Sequence, residues 1–155
     1  MVEIIMSIEN NICPIEVLIV EDNNADIRLV KEAFKDGKMM VNLIAIKDGL
    51  EAMVYLRKEN EYVNANTPDL VLLDLNMPIK NGFEVLDEIK QDQELRRIPI
   101  IIMTISKDEE DILRSYNLHA NAYIIKPVEL NQFMNAIKSI EDFWLTIVKL
   151  PPKMV

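Results

Sequence analysis

A chain of 155 residues, 50% hydrophobic and 28% charged, is the size of one globular domain with its own core, which excludes wholesale disorder. Its formal net charge of −9 excludes the basic face that nucleic acid or an anionic membrane would require. A single cysteine, Cys13, excludes an internal disulfide, and no apolar stretch reaches the roughly 20 residues of a membrane span.

In chain order, Met1–Asn11 has no basic start and loses its apolar character at Ser7, so it does not read as a signal peptide. With the lone cysteine, this gives the expectation of a reducing cytoplasm. Residues 1–13 are predicted to be a loose extension, residues 14–150 a single domain with a long last helix, and residues 151–155 a tail. Five short runs, rich in β-branched residues and leucine, read as strands: Glu16–Val20, Val41–Ile46, Leu70–Asp74, Ile100–Thr104 and Ala122–Ile125. Their near-continuous apolar character is that of strands buried on both faces. Helix-period segments alternate with them. Ile27, Val30, Ala33 and Phe34 share one face, with Gly37 where a helix carboxyl end is expected. Asp48 is placed to cap Leu50–Lys58, Asn81-Gly82 opens Phe83–Lys90, and Asp108 is placed to cap Glu109–Leu118. Polar Glu59–Pro68 is expected to be a mobile loop. The last helix is predicted from Glu129 to about Leu150, where Pro151-Pro152 stops it. Repeated βα units imply an α/β fold, a doubly wound (βα)5 sandwich with a five-stranded parallel sheet in the flavodoxin-like order 2-1-3-4-5.

The chemistry lies at strand ends. Glu21 and Asp22 follow the first run, Asp74 closes the third, Thr104 ends the fourth, and Lys126-Pro127 follows the fifth. Open α/β sheets bring such residues to one crevice. Any one of these residues has an ordinary explanation, an acidic turn or a surface lysine; their joint order does not. A bare phosphate would be repelled by Glu21-Asp22, so a cation must accompany it, and Mg²⁺ is held by a few carboxylates plus a phosphate oxygen. A carboxylate such as Asp74 can attack phosphorus to form an aspartyl phosphate, given a metal, a cation and a donor to absorb the charge.

Glu21-Asp22, Asp74-x-x-Met77-Pro78-x-x-x-Gly82, Thr104 and Tyr123-x-x-Lys126-Pro127 resemble the receiver domain of two-component response regulators, over residues 15–143. The resemblance implies that Asp74 is the phosphoacceptor, that Glu21, Asp22, Asp74 and the backbone carbonyl of Asn76 hold Mg²⁺, and that Lys126 pairs with the phosphoryl group. It implies that Thr104 and Tyr123 form the switch and that the Lys126–Pro127 bond is cis, a geometry cheap only before proline. The Leu118-His119-Ala120-Asn121 loop and the closing Phe143–Pro151 segment resemble stand-alone regulators of the cyanobacterial phytochrome type. Three positions depart from the pattern. Glu21 stands for the more frequent Asp, Ile105 for a small residue that would leave Asp74 more open, and His119 for Gly, though histidine tolerates positive φ.

The function expected is a phosphorelay switch phosphorylated by a sensor histidine kinase, phytochrome-like as the resemblance implies, not an enzyme with its own substrate although it assists its own Mg²⁺-dependent phosphorylation and dephosphorylation, and read out by an unidentified downstream protein, with no output domain in these residues. A pseudo-receiver that binds partners without phosphorylation is the alternative. A phosphohydrolase of the haloacid dehalogenase type would need a second Asp where this chain has Asn76. The apolar crowd of Phe143, Trp144, Leu145, Ile147 and Val148 exceeds one helix stripe and, with the pairing the resemblance implies, points to a homodimer through Phe143, Trp144 and Ile147.

Overall fold

The computed structural model describes residues 14–153; the extension predicted over residues 1–13, including Cys13, lies outside them. Five strands alternate with five helices: β1 (Ile15–Val20), α1 (Asn24–Lys35), β2 (Val41–Ile46), α2 (Gly49–Leu56), β3 (Leu70–Leu73), α3 (Gly82–Gln91), β4 (Ile100–Thr104), α4 (Glu109–Asn117), β5 (Ala122–Ile125) and α5 (Leu130–Ile140). All pairings are parallel, in the order β2-β1-β3-β4-β5. Register aligns Val20 with Leu73 and Ile46, Leu73 with Ile102, and Thr104 with Ile125, so the carboxyl ends of the strands finish at one edge.

The unbroken apolar runs have a simple cause. Alternate residues of each strand feed opposite faces, and both faces are covered. Leu18, Val20, Val71, Leu73, Ile100 and Ile102 pack on Met53, Leu86 and Ile89 of α2 and α3. Val17, Ile19, Leu70, Leu72, Ile101 and Met103 pack on Val30, Phe34, Phe133, Ile137 and Ile140 of α1 and α5. Helix starts follow local chemistry: the side chains of Asn23, Asp48 and Asn81 accept from the backbone N–H groups of Asp26, Glu51 and Glu84. Asp108 occupies the corresponding position of α4 but makes no such bond. There the Ser106 hydroxyl takes the bond from the Asp108 N–H and donates to Asp111.

Three segments differ from expectation. Glu59–Pro68 is not simply a loop. It contains a 3-10 turn, Asn60–Tyr62, in which Tyr62 packs edge-on against Tyr55 with ring centroids 5.1 Å apart and donates to Glu51. One aromatic residue anchors an otherwise polar stretch. Gly37 does not end α1 in a left-handed conformation. Its value is space, since a Cβ there would lie 1.9 Å from a carboxylate oxygen of Glu141. The last helix is α-helical only to Ile140 and continues as a π-helix over Glu141–Ile147. That wider winding accompanies the burial of Glu141, which accepts from the Met39 N–H at 3.1 Å. His119 adopts φ 72°, the left-handed geometry that the sequence required of that loop.

Ile79, in the loop after β3, has φ 67°, and the Lys80 N–H bonds back to the Pro78 carbonyl at 2.7 Å. A γ-turn with its central residue at positive φ is rare and strained, more so for a β-branched side chain. Left-handed backbone costs an L-residue roughly 1–2 kcal/mol, whereas glycine costs about 0.5–1 kcal/mol in unfolded-state entropy. Ile79→Gly is therefore expected to stabilise the fold by about 0.5–1 kcal/mol, read as a higher urea midpoint; a lower midpoint would show that the exposed side chain contributes more than its backbone costs.

Candidate phosphoacceptor site

Backbone hydrogen bonding carries each strand one step beyond its last residue and so fixes the site. Glu21 N–H bonds to Ile46, Asp74 N–H to Val20, and Lys126 N–H to Thr104, at 2.9, 3.0 and 2.7 Å. Glu21, Asp74, Thr104 and Lys126 are all buried, while Asp22 is exposed at the mouth. Glu21, Asp22 and Asp74 each offer one carboxylate oxygen within 4.8 Å of the others. The Lys126 ammonium donates to Glu21 at 2.5 Å, to Asp74 at 2.9 Å and to Asp26 at 3.0 Å.

Asp26 was absent from the sequence reading. It lies one helical turn beyond Asp22 in the first turn of α1, and that i, i+4 spacing was the available signal. Asn76 lies in the loop that turns over the site, and its N–H donates to Asp74 Oδ1 at 3.2 Å. The loop can close because residue 82 is glycine: a Cβ there would sit 2.2 Å from the Asp74 carbonyl oxygen. Lys80 of the same loop pairs with Glu88, which also faces Arg57 at 3.5 Å.

Thr104 is fully buried, and its hydroxyl oxygen accepts from the Ser106 N–H at 3.5 Å. Tyr123 is half-buried and donates through its hydroxyl to the Ser106 carbonyl at 3.0 Å. The two expected switch residues thus meet at Ser106, which no sequence pattern had marked. Ile105 is 69% exposed, so its bulk lies largely in solvent. The Lys126–Pro127 bond is trans, as no cis peptide occurs among the described residues. This corrects the expectation of a cis bond: an X-Pro amide still prefers trans by about 0.5–1 kcal/mol, and Lys126 reaches all three carboxylates from the trans geometry.

The electrostatics call for more positive charge. Glu21, Asp26 and Asp74 share one ammonium, and Asp22 adds a fourth carboxylate to the cluster without pairing with it. Burial pushes the Glu21 carboxyl up to about 7, against the pull of its Lys126 hydrogen bond. Burial alone would lower Lys126, but its bond to Glu21 and the charge of Asp74 outweigh it and hold the ammonium above its usual range. An all-oxygen donor set with excess negative charge fits a hard divalent cation and is poorly suited to soft metals.

The response regulator receiver domain pattern matches residues 17–138. The chain belongs to that family. Response regulator Rcp1 of Synechocystis sp. is 47% identical over 146 residues, covering 94% of this chain and 99% of Rcp1. The probable methanogenesis regulatory protein FilR2 of Methanothrix harundinacea is 37% identical over 132 residues, covering 85% of this chain and 84% of FilR2. Among solved structures, the phosphorylated cyanobacterial phytochrome response regulator RcpA superposes with a TM-score of 0.88 at 48% identity, covering 90% of this chain and 100% of RcpA. The Mn²⁺-bound form of Rcp1 gives 0.87 at 46% identity, covering 90% of this chain and 100% of Rcp1. This receiver domain therefore has the flavodoxin-like fold read from its runs, and it resembles phytochrome response regulators. A receiver implies a histidine kinase as partner and is a signalling module rather than a metabolic enzyme, which removes the phosphohydrolase alternative. Among the described residues no helix is long and apolar enough to cross a membrane.

Proposed function

We propose that this response regulator takes a phosphoryl group on Asp74 from a histidine kinase coupled to a phytochrome-like sensor, in the cytoplasm. The observation that carries this reading is the Lys126 ammonium set between Glu21 and Asp74, with Asp22 completing a divalent-sized carboxylate cluster. As the P–N bond of the kinase phosphohistidine breaks, a carboxylate oxygen of Asp74 bonds to phosphorus. Glu21, Asp22, Asp74 and the Asn76 carbonyl would hold Mg²⁺, which when bound offsets charge between the acids and the phosphoryl oxygens. Lys126 turns from Glu21 and Asp74 toward the new phosphoryl group. Thr104 supplies a hydroxyl donor to it, and Tyr123 exchanges its bond to Ser106 for an inward position. Intact Asp74, Thr104 and Lys126 speak against a pseudo-receiver. Transfer from an autophosphorylated phytochrome-type kinase, followed by the radiolabel, tests the reading; retention of label on the kinase in the presence of Mg²⁺ would overturn it.

Residues 14–150 act in this reading as one receiver unit that signals through protein contacts to a downstream target, with residues 151–155 as its tail. Homodimerisation through the carboxy-terminal segment is part of the same proposal. Leu145 is turned into the core, but Phe143 and Ile147 are 50% and 72% exposed, and Trp144 lies edge-on to Phe143. Exposed apolar area is unfavourable by about 25 cal/mol per Å², and a two-fold pair covers one patch with its copy. Sedimentation should show a dimer that Phe143→Glu with Ile147→Glu dissolves; a wild-type monomer at high concentration, with and without a phosphoryl mimic, would contradict the pairing.

A further inference from the structure

At the opposite end of the sheet, below the starts of β3 and β4, lies a cavity of about 490 Å³. Its position separates it from the phosphoacceptor chemistry. Four prolines, Pro68, Pro99, Pro151 and Pro152, with buried Leu95 and Ile98 supply rigid apolar wall. The carboxy-terminal strap closes one side, tied down by Lys153, which pairs with Asp69 at 3.2 Å and bonds to the Thr67 carbonyl.

The charged groups around it are not balanced in their commitments. Arg57, Lys58, Arg97 and Lys153 face Asp69, Asp92 and Glu94. Asp69 is already engaged by Lys153 and by the Glu16 N–H, and Asp92 accepts from the N–H groups of Glu94 and Leu95. On the cationic side, Arg57 has only a 3.5 Å approach to Glu88. Among the described residues Lys58 and Arg97 make no ion pair and no side-chain hydrogen bond. The Glu94 carboxylate makes none either, so beside an apolar cavity a chain of net charge −9 holds two uncommitted cations and a loosely held third against one uncommitted carboxylate. The volume falls within the range of small-molecule sites, roughly 300–1,000 Å³, whose usual make-up is apolar wall with a few convergent polar groups.

We infer that this cavity is a binding site for a small organic anion, a flat apolar body ending in a carboxylate or similar group, with the body against the proline walls and the charge on Lys58 and Arg97. Neither nucleic acid nor an acidic protein surface suits it, because the cations line a recess rather than a stripe. The probe is 2-naphthoate, titrated into the full chain and followed by amide chemical shifts, with 2-naphthalenemethanol as the neutral isostere. Saturating shifts are expected at Thr67, Leu95 and Ile98, with the alcohol binding more weakly. Lys58→Asn with Arg97→Ala, both exposed positions and the first at positive φ where Asn is tolerated, should weaken naphthoate about tenfold and leave the alcohol unchanged. The inference is overturned by the absence of saturable shifts at millimolar probe, by equal binding of acid and alcohol to wild type, or by shifts confined to the exposed Leu113 and Tyr116 surface.

Discussion

Lys126→Met is expected to destabilise the metal-free protein by about 3–5 kcal/mol, because it leaves buried carboxylates without their cation. Lys126 is the ammonium shared by Glu21, Asp74 and Asp26 in the described structure, and both Glu21 and Asp74 are buried. Methionine fills similar volume, so the loss is electrostatic rather than a cavity effect. A divalent cation then takes over the neutralising role and binds more tightly to the variant than to wild type. At a hundredfold excess over its dissociation constant, it returns about 2.7 kcal/mol through mass action. Phosphorylation does not recover, since Lys126 is the donor placed for developing charge, and loss of one such donor costs about 10²–10³ in rate. Urea denaturation in chelator and in excess Mg²⁺ separates the two effects; an unchanged midpoint in chelator would show that the acids do not depend on Lys126.

Gly82→Ala is expected to lower both stability and divalent affinity, although alanine is the better helix former by about 1 kcal/mol. Gly82 opens α3, and a Cβ there would meet the Asp74 carbonyl oxygen at 2.2 Å and Leu75 Cα at 2.6 Å. Both are backbone atoms and cannot rotate aside, so the loop must shift. Forcing an extra carbon into such a contact costs about 1–3 kcal/mol. The displaced segment carries Asp74 itself and Asn76, so the metal site moves with it. Calorimetric titration with Mn²⁺ should show weaker binding, alongside a lower urea midpoint. Equal or higher stability with unchanged Mn²⁺ affinity would mean that the close approach is not needed.

The sheet was legible because its three central strands are buried on both faces, so the runs Leu70–Leu73 and Ile100–Met103 carry no polar interruption. The five site positions were legible because strand ends in a doubly wound sheet converge whatever the loops do. What sequence pattern did not reveal was contact between distant segments. Asp26 reaches Lys126 across 100 residues, and Glu141 reaches Met39 across 102. Neither pair leaves a local signature, since an acid in a helix's first turn or in a late helix reads as a solvated face. Gly37 shows the same limit: it stands just past the helix end, as expected, but nothing in the sequence signalled the Glu141 carboxylate packed against it. Apolar spacing also continued smoothly from Ile137 to Ile147, and periodicity gave no sign that α-helix would give way to π-helix at Glu141. The trans Lys126–Pro127 bond was misread through resemblance, because no residue pattern fixes an isomer whose two forms differ so little.

The most direct test of the central claim is intact-mass spectrometry after incubation with acetyl phosphate. Wild type with Mg²⁺ should gain the mass of one phosphoryl group; wild type in excess chelator, and Asp74→Asn with Mg²⁺, should gain none. Equal labelling of the Asp74→Asn variant would place the acceptor elsewhere, and labelling in chelator would remove the divalent cation from the account.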